Sequence, residues 1–181
     1  MRRWHRVLLA VMLGASGVPT RAAGQAHGAC PSPALARLAV ARGAWIVRWL
    51  DRITPKEYAT SEARSTIETT SGGCGLLERF VGMRAGRRFE ALTLIAPAGG
   101  DSLQRVWQDS EHGAILLFTS APGAEPLRFE WCRDLGDRVL RLRTTYLALT
   151  AKGFTTETEL SPDGGDTWQL VSRQQYRRSG S

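Results

Sequence analysis

The stretch SPDGGDTW, residues 161–168, matches the Asp-box pattern S-x-D-x-G-x-x-W at every fixed position. The carboxylate of Asp163 can accept hydrogen bonds from nearby backbone amides, and Gly165 can adopt positive φ, so the stretch predicts a tight turn. Period-two alternation flanks it, with Phe154, Thr156, Thr158 and Leu160 before the turn and Trp168, Leu170 and Ser172 after it. These residues predict a β-hairpin in which Trp168, Leu170 and Ser172 share one face.

Working outward from the hairpin, most of the chain has the pattern of short strands separated by Gly, Pro, Asp and Ser. Such spacing is typical of an antiparallel sandwich or barrel. About ten strands are predicted, within residues 44–51, 63–71, 76–81, 89–96, 103–109, 114–120, 127–133, 138–149, 154–160 and 168–177. Residues 34–42 instead predict a short helix, because Pro33 stands at its start and Gly43 at its end.

The N-terminus has the pattern of a secretory signal. Residues 1–6 are basic, residues 7–13 are apolar, and small residues continue to Ala26. The apolar run is shorter than the ~20 residues that span a bilayer, so no stable membrane insertion is expected. Cleavage near Ala26 leaves residues 27–181 as a single domain in a secreted or periplasmic protein.

The charge of the processed chain argues against a nucleic-acid partner. The signal contains four arginines and no acidic residue. Its removal therefore reduces the number of basic residues from 24 to 20, while the 17 acidic residues remain, and the net charge falls to about +3. The basic residues that remain form no long run, whereas phosphate binding needs a concentrated basic face.

Three cysteines survive cleavage: Cys30, Cys74 and Cys132. Export permits a disulfide, and three thiols allow one pair with one left over; the sequence leaves the pairing open. The chain has no C-x-x-C or Cys/His cluster, so neither a metal nor a cofactor is predicted. The remaining histidines, His27 and His112, do not lie in a strand beside a Ser or Cys nucleophile, so no catalytic residue is assigned.

Gly43-Ala44-Trp45, at the start of the first strand just after the short helix, resembles the Gly-x-Trp of the calycin superfamily of up-and-down barrels. The calycins include lipocalins, fatty-acid-binding proteins and nitrobindin-like proteins. The resemblance implies an all-β, antiparallel up-and-down barrel of about ten strands with a short N-terminal helix. It also implies that Trp45 closes one barrel end beneath Arg177 or Arg178. A nitrobindin-like haem site is not expected, because no inward histidine follows Phe154.

Further pieces resemble a group of secreted, lipocalin-like bacterial proteins of unknown function. They are Gly72-Gly73-Cys74 leading to Glu78, Trp107-Gln108-Asp109, Arg141-Leu142-Arg143, and Asp163-Gly164-Gly165 through Trp168 to Tyr176-Arg177. This group implies a fold and no activity.

Charged residues on the strands offer candidates for a site inside the barrel. Alternation places Glu78 beside Leu76 and Phe80, where a buried carboxylate needs a partner such as Arg105 or Arg143. A register that places Glu78 outside is the alternative. Arg105, Trp107 and Asp109 share a face, and an inward arginine is able to bind an anionic head group. Arg141 and Arg143 are expected on the solvent face, opposite a leucine-lined core.

Aromatic residues complete the predicted binding set. Tryptophans on strands are core residues by default, and otherwise they line a cavity for one small molecule. The predicted ligand-binding residues are Trp49, Glu78, Arg105, Trp107, Trp131 and Tyr146, and the predicted structural residues are Gly43, Trp45, Asp163, Gly165, Trp168 and Arg177.

Three functions fit these residues. The leading prediction is an exported, non-catalytic barrel that binds a hydrophobic or amphipathic small molecule. The first alternative is a lyase, isomerase or hydrolase that uses Glu78 with Arg105 or Asp109. The second is a protein- or carbohydrate-interaction module carrying the Asp-box hairpin, although a single copy argues against a propeller of repeated blades.

Overall fold

The structure is a computed structural model that describes residues 30–180, a short helix followed by ten strands. Helix α1 spans Pro33–Leu38 and continues as a 3₁₀ turn over Ala39–Ala41. The strands are β1 Gly43–Arg52, β2 Tyr58–Thr70, β3 Gly75–Arg84, β4 Arg87–Gly99, β5 Ser102–Asp109, β6 Ile115–Ser120, β7 Arg128–Asp134, β8 Val139–Leu147, β9 Gly153–Ser161 and β10 Gln169–Arg178.

The ten strands form one closed barrel. Each strand pairs antiparallel with its neighbours in the sequence, and β1 also pairs with β10, with Trp45 opposite Arg178. Closure removes both free edges of the sheet. The predicted fold class, an all-β up-and-down barrel of about ten strands with a short N-terminal helix, is confirmed.

Helix α1 covers one end of the barrel, here called the helix end, where the β2–β3, β4–β5, β6–β7 and β8–β9 connections lie. Leu35 and Leu38 are buried, and α1 packs on β4 and β5. Arg37 forms an ion pair with Glu125 in the β6–β7 connection. Within residues 30–180, no helix is long and apolar enough to cross a bilayer.

A disulfide between Cys30 and Cys74 ties the segment before α1 to the β2–β3 connection. This answers the pairing question that the sequence left open. Cys132 on β7 is the free thiol and is exposed. The bond therefore fixes the N-terminal segment to the same end of the barrel that α1 covers.

Trp45 closes the helix end from inside. It is 1% exposed, and its Nε1 donates to the carbonyl of Ala41 at 2.7 Å. The guanidinium of Arg178 lies 4.0 Å over its ring and donates to backbone carbonyls just before β1, while Arg177 is exposed. A side chain at Gly43 would collide with that guanidinium, since an added Cβ would lie 1.9 Å from it. Arg178 is therefore the residue that covers Trp45.

Aromatic rings fill the helix end below Trp45. Phe154 meets Trp45 edge-on at 5.1 Å and stacks on Tyr176 at 4.0 Å. Tyr146 stacks on the other side of Phe154 at 6.1 Å, and Phe129 follows at 5.9 Å from Tyr146. Such ring pairs add stability beyond the area they bury, so this end is a packed core.

The Asp-box hairpin joins β9 to β10 at the far end of the barrel. Asp163 accepts from the backbone N–H of Thr167 at 3.0 Å and from the hydroxyl of Ser161 at 2.6 Å. Gly165 has a φ of 115°, and its carbonyl accepts from Nε1 of Trp168 at 3.0 Å. These bonds hold the pKa of Asp163 well below its usual range, because the hydroxyls and the amide stabilise the carboxylate.

Two predicted details are wrong. Strand β2 begins at Tyr58, five residues before the predicted start, because residues 58–62 pair with β1 although most of them are exposed and show no apolar alternation. A β-bulge lies in β10 between Leu170 and Ser172, which pair with Glu159 and Thr158 on opposite faces of β9. Leu170 therefore does not share a face with Ser172, since the extra residue reverses the alternation.

Candidate ligand-binding site

A cavity of about 500 Å³ lies inside the barrel between the aromatic helix end and the far end, here called the mouth. About half of the residues that line it are aromatic or aliphatic, and they include Trp49, Phe80, Phe89, Trp107, Leu116 and Phe118. Inward polar residues lie toward the helix end, among them Glu78, Arg105, Gln174 and Tyr176. Small-molecule sites combine apolar walls with placed polar groups, and this cavity contains both kinds of residue.

Glu78 is held inside the barrel by two hydroxyl groups. Its Oε1 accepts from the Oγ of Ser65 at 2.7 Å and from the hydroxyl of Tyr176 at 2.9 Å. Within the described residues, neither predicted arginine makes a salt bridge to it. Arg143 is on the outer face of β8 and pairs with Glu159 at 2.6 Å, as its predicted solvent face requires. The expected Glu–Arg pair is thus replaced by hydroxyl donors from β2 and β10.

The hydroxyl of Tyr176 continues a polar chain across the barrel wall. It lies 3.0 Å from Oε1 of Gln174, which also accepts from the hydroxyl of Thr156 at 3.0 Å. A phenol carries one proton, so Tyr176 donates to either Glu78 or Gln174 at a given moment. Burial and the negative charge of Glu78 raise the pKa of Tyr176 well above its usual value, which keeps this hydroxyl neutral.

Arg105 brings a positive charge into the same region. Its guanidinium lies over the ring of Phe118, 4.9 Å from the centroid. Burial raises the pKa of Tyr146 to about 12, and the charge and hydrogen bond of the neighbouring Arg105 offset only part of that effect. The Nε of Arg105 is buried and has no hydrogen-bond partner in the part of the chain described.

Charged residues also span the mouth. Nε of Arg84 donates to Asp51 at 2.7 Å and its Nη1 to Glu111 at 2.6 Å, so β1, β3 and the β5–β6 connection are joined. The guanidinium lies about equally far from the rings of Trp49 and Phe89, at 6.0 and 5.8 Å. Burial raises the pKa of Asp51, and the hydrogen bond and charge of Arg84 offset only part of this.

Asp109 organises the β5–β6 connection beside the mouth. Its fully buried carboxylate accepts from the backbone N–H groups of Glu111 and His112, at 2.8 and 2.7 Å, and lies 3.0 Å from Nδ1 of His112. The side chain of His112 is largely exposed but borders the cavity. Asp109 was predicted only to share a strand face with Arg105 and Trp107; its carboxylate is buried, and its hydrogen bonds hold the turn.

Four of the six predicted ligand-binding residues line this one cavity: Trp49, Glu78, Arg105 and Trp107. Tyr146 is buried beside Arg105. Trp131, half-buried on β7 opposite Leu142, packs on the core and is not part of the cavity lining described here.

Sequence reasoning missed several polar contributors, above all Tyr176, Gln174 and Arg84. Counting back from Tyr176 in steps of two would have placed Gln174 and Ser172 on the same inner face. The prediction instead counted forward from the Asp-box hairpin, and the bulge between Leu170 and Ser172 reverses the alternation between the hairpin and Tyr176. Arg84 lay beyond the predicted end of β3, so nothing in the pattern drew it inward. No group of three or more potential metal-ligating side chains is found among residues 30–180.

The chain matches no family model and no curated protein. The closed ten-stranded antiparallel barrel is consistent with a calycin-like fold. The fold therefore places the protein in the class of β-barrels that are compatible with ligand binding. A more specific function has to be inferred from the residues of the site.

Proposed function

We propose that this protein is an exported, non-catalytic barrel that binds a small amphipathic molecule in its internal cavity. The observation that carries the proposal is the cavity itself, which at about 500 Å³ lies within the usual range for small-molecule sites, roughly 300–1,000 Å³. Rings and aliphatic side chains line its walls, while Glu78 and Arg105 supply polar groups on its inner face. This mixture suits a ligand with both an apolar and a polar part.

The contacts of the acidic residues favour binding over catalysis. Glu78 receives two hydroxyl donors on one oxygen, so the protein already uses it as a hydrogen-bond acceptor. Asp109, the other acid considered for an enzyme, is fully buried and accepts from the turn that follows it. A carboxylate that acts as a general base must reach the proton of the substrate. The carboxylates of Glu78 and Asp109 instead accept hydrogen bonds from the protein itself.

The Asp-box hairpin supports a structural role in the same way. The carboxylate of Asp163 is bonded within the hairpin, and the ring of Trp168 lies beneath the guanidinium of Arg143 at 4.0 Å. The interaction-module alternative would use these groups to contact a partner, yet each of them already has a contact within the barrel wall.

Export is part of the proposal and rests on residues 1–26, which lie outside the described residues. The Cys30–Cys74 disulfide fits an oxidising compartment. We expect the mature domain to comprise residues 27–181 and to be secreted or periplasmic. Intact-mass analysis of the exported protein should give a chain that starts near His27, whereas a cytoplasmic protein with Met1 intact would contradict export.

A dye-binding experiment tests the cavity directly. N-phenyl-1-naphthylamine is uncharged and becomes fluorescent in apolar surroundings, so it should bind the exported protein with one site per chain. Ala91→Leu adds bulk to the cavity wall and should weaken dye binding at least tenfold, whereas Ala44→Leu adds the same bulk to the outer face of β1. Circular dichroism checks that both variants fold. No dye binding, or equal binding by both variants, would refute the proposal.

A further inference from the structure

The outer wall of the barrel over β3–β6 carries apolar side chains, whereas a sheet face in water normally carries polar ones. Leu94 on β4 is paired across the sheet with Leu77 on β3 and with Val106 on β5. Val106 is paired in turn with Leu117 on β6. Directly paired residues project from the same face of a sheet, and Leu94 and Leu117 are 37% and 51% exposed. An unbroken apolar row therefore crosses four strands on the outside of the barrel.

A second row lies two residues nearer the mouth and widens the apolar area. In this row Leu92 on β4 and Ile115 on β6 flank Gln108 on β5, and they are 43% and 67% exposed. The two rows form a patch that we call the outer apolar face. It consists of Leu77, Leu92, Leu94, Val106, Ile115 and Leu117.

The outer apolar face has the size of the centre of a protein interface. It spans four strands, about 14 Å across. It exposes on the order of 400 Å², within the roughly 300–600 Å² that the largest patches on monomers reach. Val81 and Met83, 38% and 49% exposed, extend it along β3 toward the mouth. A standard interface buries about 800 Å² per partner, of which roughly 450–500 Å² is apolar, so the face supplies the apolar part of one such interface.

The surroundings of the face are close to neutral. Arg79, the residue paired with Leu92 on β3, lies 3.8 Å from the carboxylate of Glu68 on the same outer wall. On β5 the outer residues above and below the first row are the uncharged Gln104 and Gln108. Like charges that face each other across an interface cost free energy. These surroundings therefore admit an identical copy of the face, and they offer little to recognise a strongly charged partner.

We propose that the outer apolar face binds the same face of a second copy of this chain and forms a two-fold symmetric dimer. Two sheets packed face to face lie about 10 Å apart with interdigitated side chains, which suits rows of leucine, isoleucine and valine. Each face is covered by its counterpart, so association stops at two chains. The inference is independent of the ligand proposed for the cavity, because the dimer contact uses the outside of the wall and leaves the mouth open.

Sedimentation equilibrium of the exported protein, with the Cys30–Cys74 disulfide intact, tests the dimer. The mass should rise from one chain toward two as the protein concentration increases, and it should go no higher. Cys132→Ser removes the exposed free thiol and should give the same result, which separates the proposed contact from a disulfide between two copies.

Variants on two strands locate the contact. Leu94→Glu and Leu117→Lys each place a charge within the outer apolar face. Each should raise the dissociation constant of the dimer at least about thirtyfold, as is usual for residues at the centre of an interface. Ile53→Lys is the matched control, because Ile53 is 52% exposed but lies in the β1–β2 connection, and it should leave the dissociation constant unchanged. Circular dichroism and dye binding check that each variant is folded.

The outcomes separate the second copy from other occupants of the face. A mass of one chain at every concentration overturns the dimer, and sedimentation of that monomer with phosphatidylglycerol vesicles would assign the face to a lipid surface instead. A dimer that survives both Leu94→Glu and Leu117→Lys places the contact elsewhere and overturns the inference. Masses beyond two chains overturn the two-fold arrangement. Loss of dye binding by an unmodified protein that still dimerises counts only against the proposed cavity function.

Discussion

Trp45→Ala is the change that most directly tests how the helix end holds the barrel together. The substitution removes a nearly fully buried indole, and such truncations cost roughly 3–5 kcal/mol. It also removes the donor to the carbonyl of Ala41, a buried acceptor whose loss of a partner costs about 1–3 kcal/mol by itself. Because these terms overlap, we expect a loss of about 5 kcal/mol.

That loss is large beside the total stability of a domain, which is about 5–15 kcal/mol. With a urea m-value of about 2 kcal/mol/M for a domain of this size, the unfolding midpoint should fall by roughly 2 M or more. Far-UV circular dichroism with the disulfide intact measures it. Trp45→Phe keeps a ring against Phe154 and Tyr176 but removes the N–H, so it should fall between the parent and Trp45→Ala.

Trp168→Ala is the matched control, because it removes the same side chain from the outer face. The ring of Trp168 is half-buried, and its contacts are Arg143 and the carbonyl of Gly165. The urea midpoint of Trp168→Ala should fall by well under half of the shift expected for Trp45→Ala. If Trp45→Ala unfolds at the same urea concentration as the parent, or if the two alanine variants lose equal stability, the reasoning about the helix end is wrong.

Three further changes test other parts of the fold. Cys74→Ser opens a disulfide of sequence separation 44 and should cost about 4 kcal/mol by loop entropy, seen as a lower urea midpoint that Cys132→Ser does not share. Asp163→Asn should lower the melting temperature at pH 7 but progressively less below about pH 4. The reason is that the carboxylate of Asp163, whose pKa is lower in the folded than in the unfolded state, stabilises the fold only while it is ionised. An equal difference in melting temperature between parent and variant at both pH values would contradict this. Glu78→Gln should lower the free energy of unfolding. The double variant Glu78→Gln/Tyr176→Phe should lose less stability than the two single variants lose together, whereas additive losses would mean that the two groups are not coupled.

The order and number of the strands were predictable because period-two alternation and turn residues are local signals. Of the ten predicted segments, each overlaps one observed strand, and the helix before Gly43 lies where its capping residues placed it. Barrel closure was not visible in such signals, since the pairing of β1 with β10 joins residues far apart in the sequence. The expectation that the first and last strands meet came from the calycin-like Gly-x-Trp and a basic residue near the C-terminus. In the structure Arg178 makes this contact with Trp45.

The site was predictable only in part, for a related reason. Alternation placed Glu78 and Arg105 on inner faces, yet it did not identify their neighbours across the barrel. Those neighbours depend on the stagger of ten strands and on the bulge in β10, which shifts Tyr176 and Gln174 relative to the Asp-box hairpin. A register change of one residue reverses every side chain beyond it, so a partner on a distant strand follows only from the closed structure.

The distribution of polar groups inside the barrel is itself an argument for binding. The helix end is filled by stacked rings under Trp45, which supply a packed core. Beyond this core, Glu78 and Arg105 face inward, although apolar residues at both positions would fill the space without desolvating a charge. Glu78 regains hydrogen bonds from Ser65 and Tyr176, whereas the Nε of Arg105 has no hydrogen-bond partner within residues 30–180. A position that breaks a local rule of stability without internal compensation is expected where function requires it, and the ligand binding proposed for this cavity is such a function.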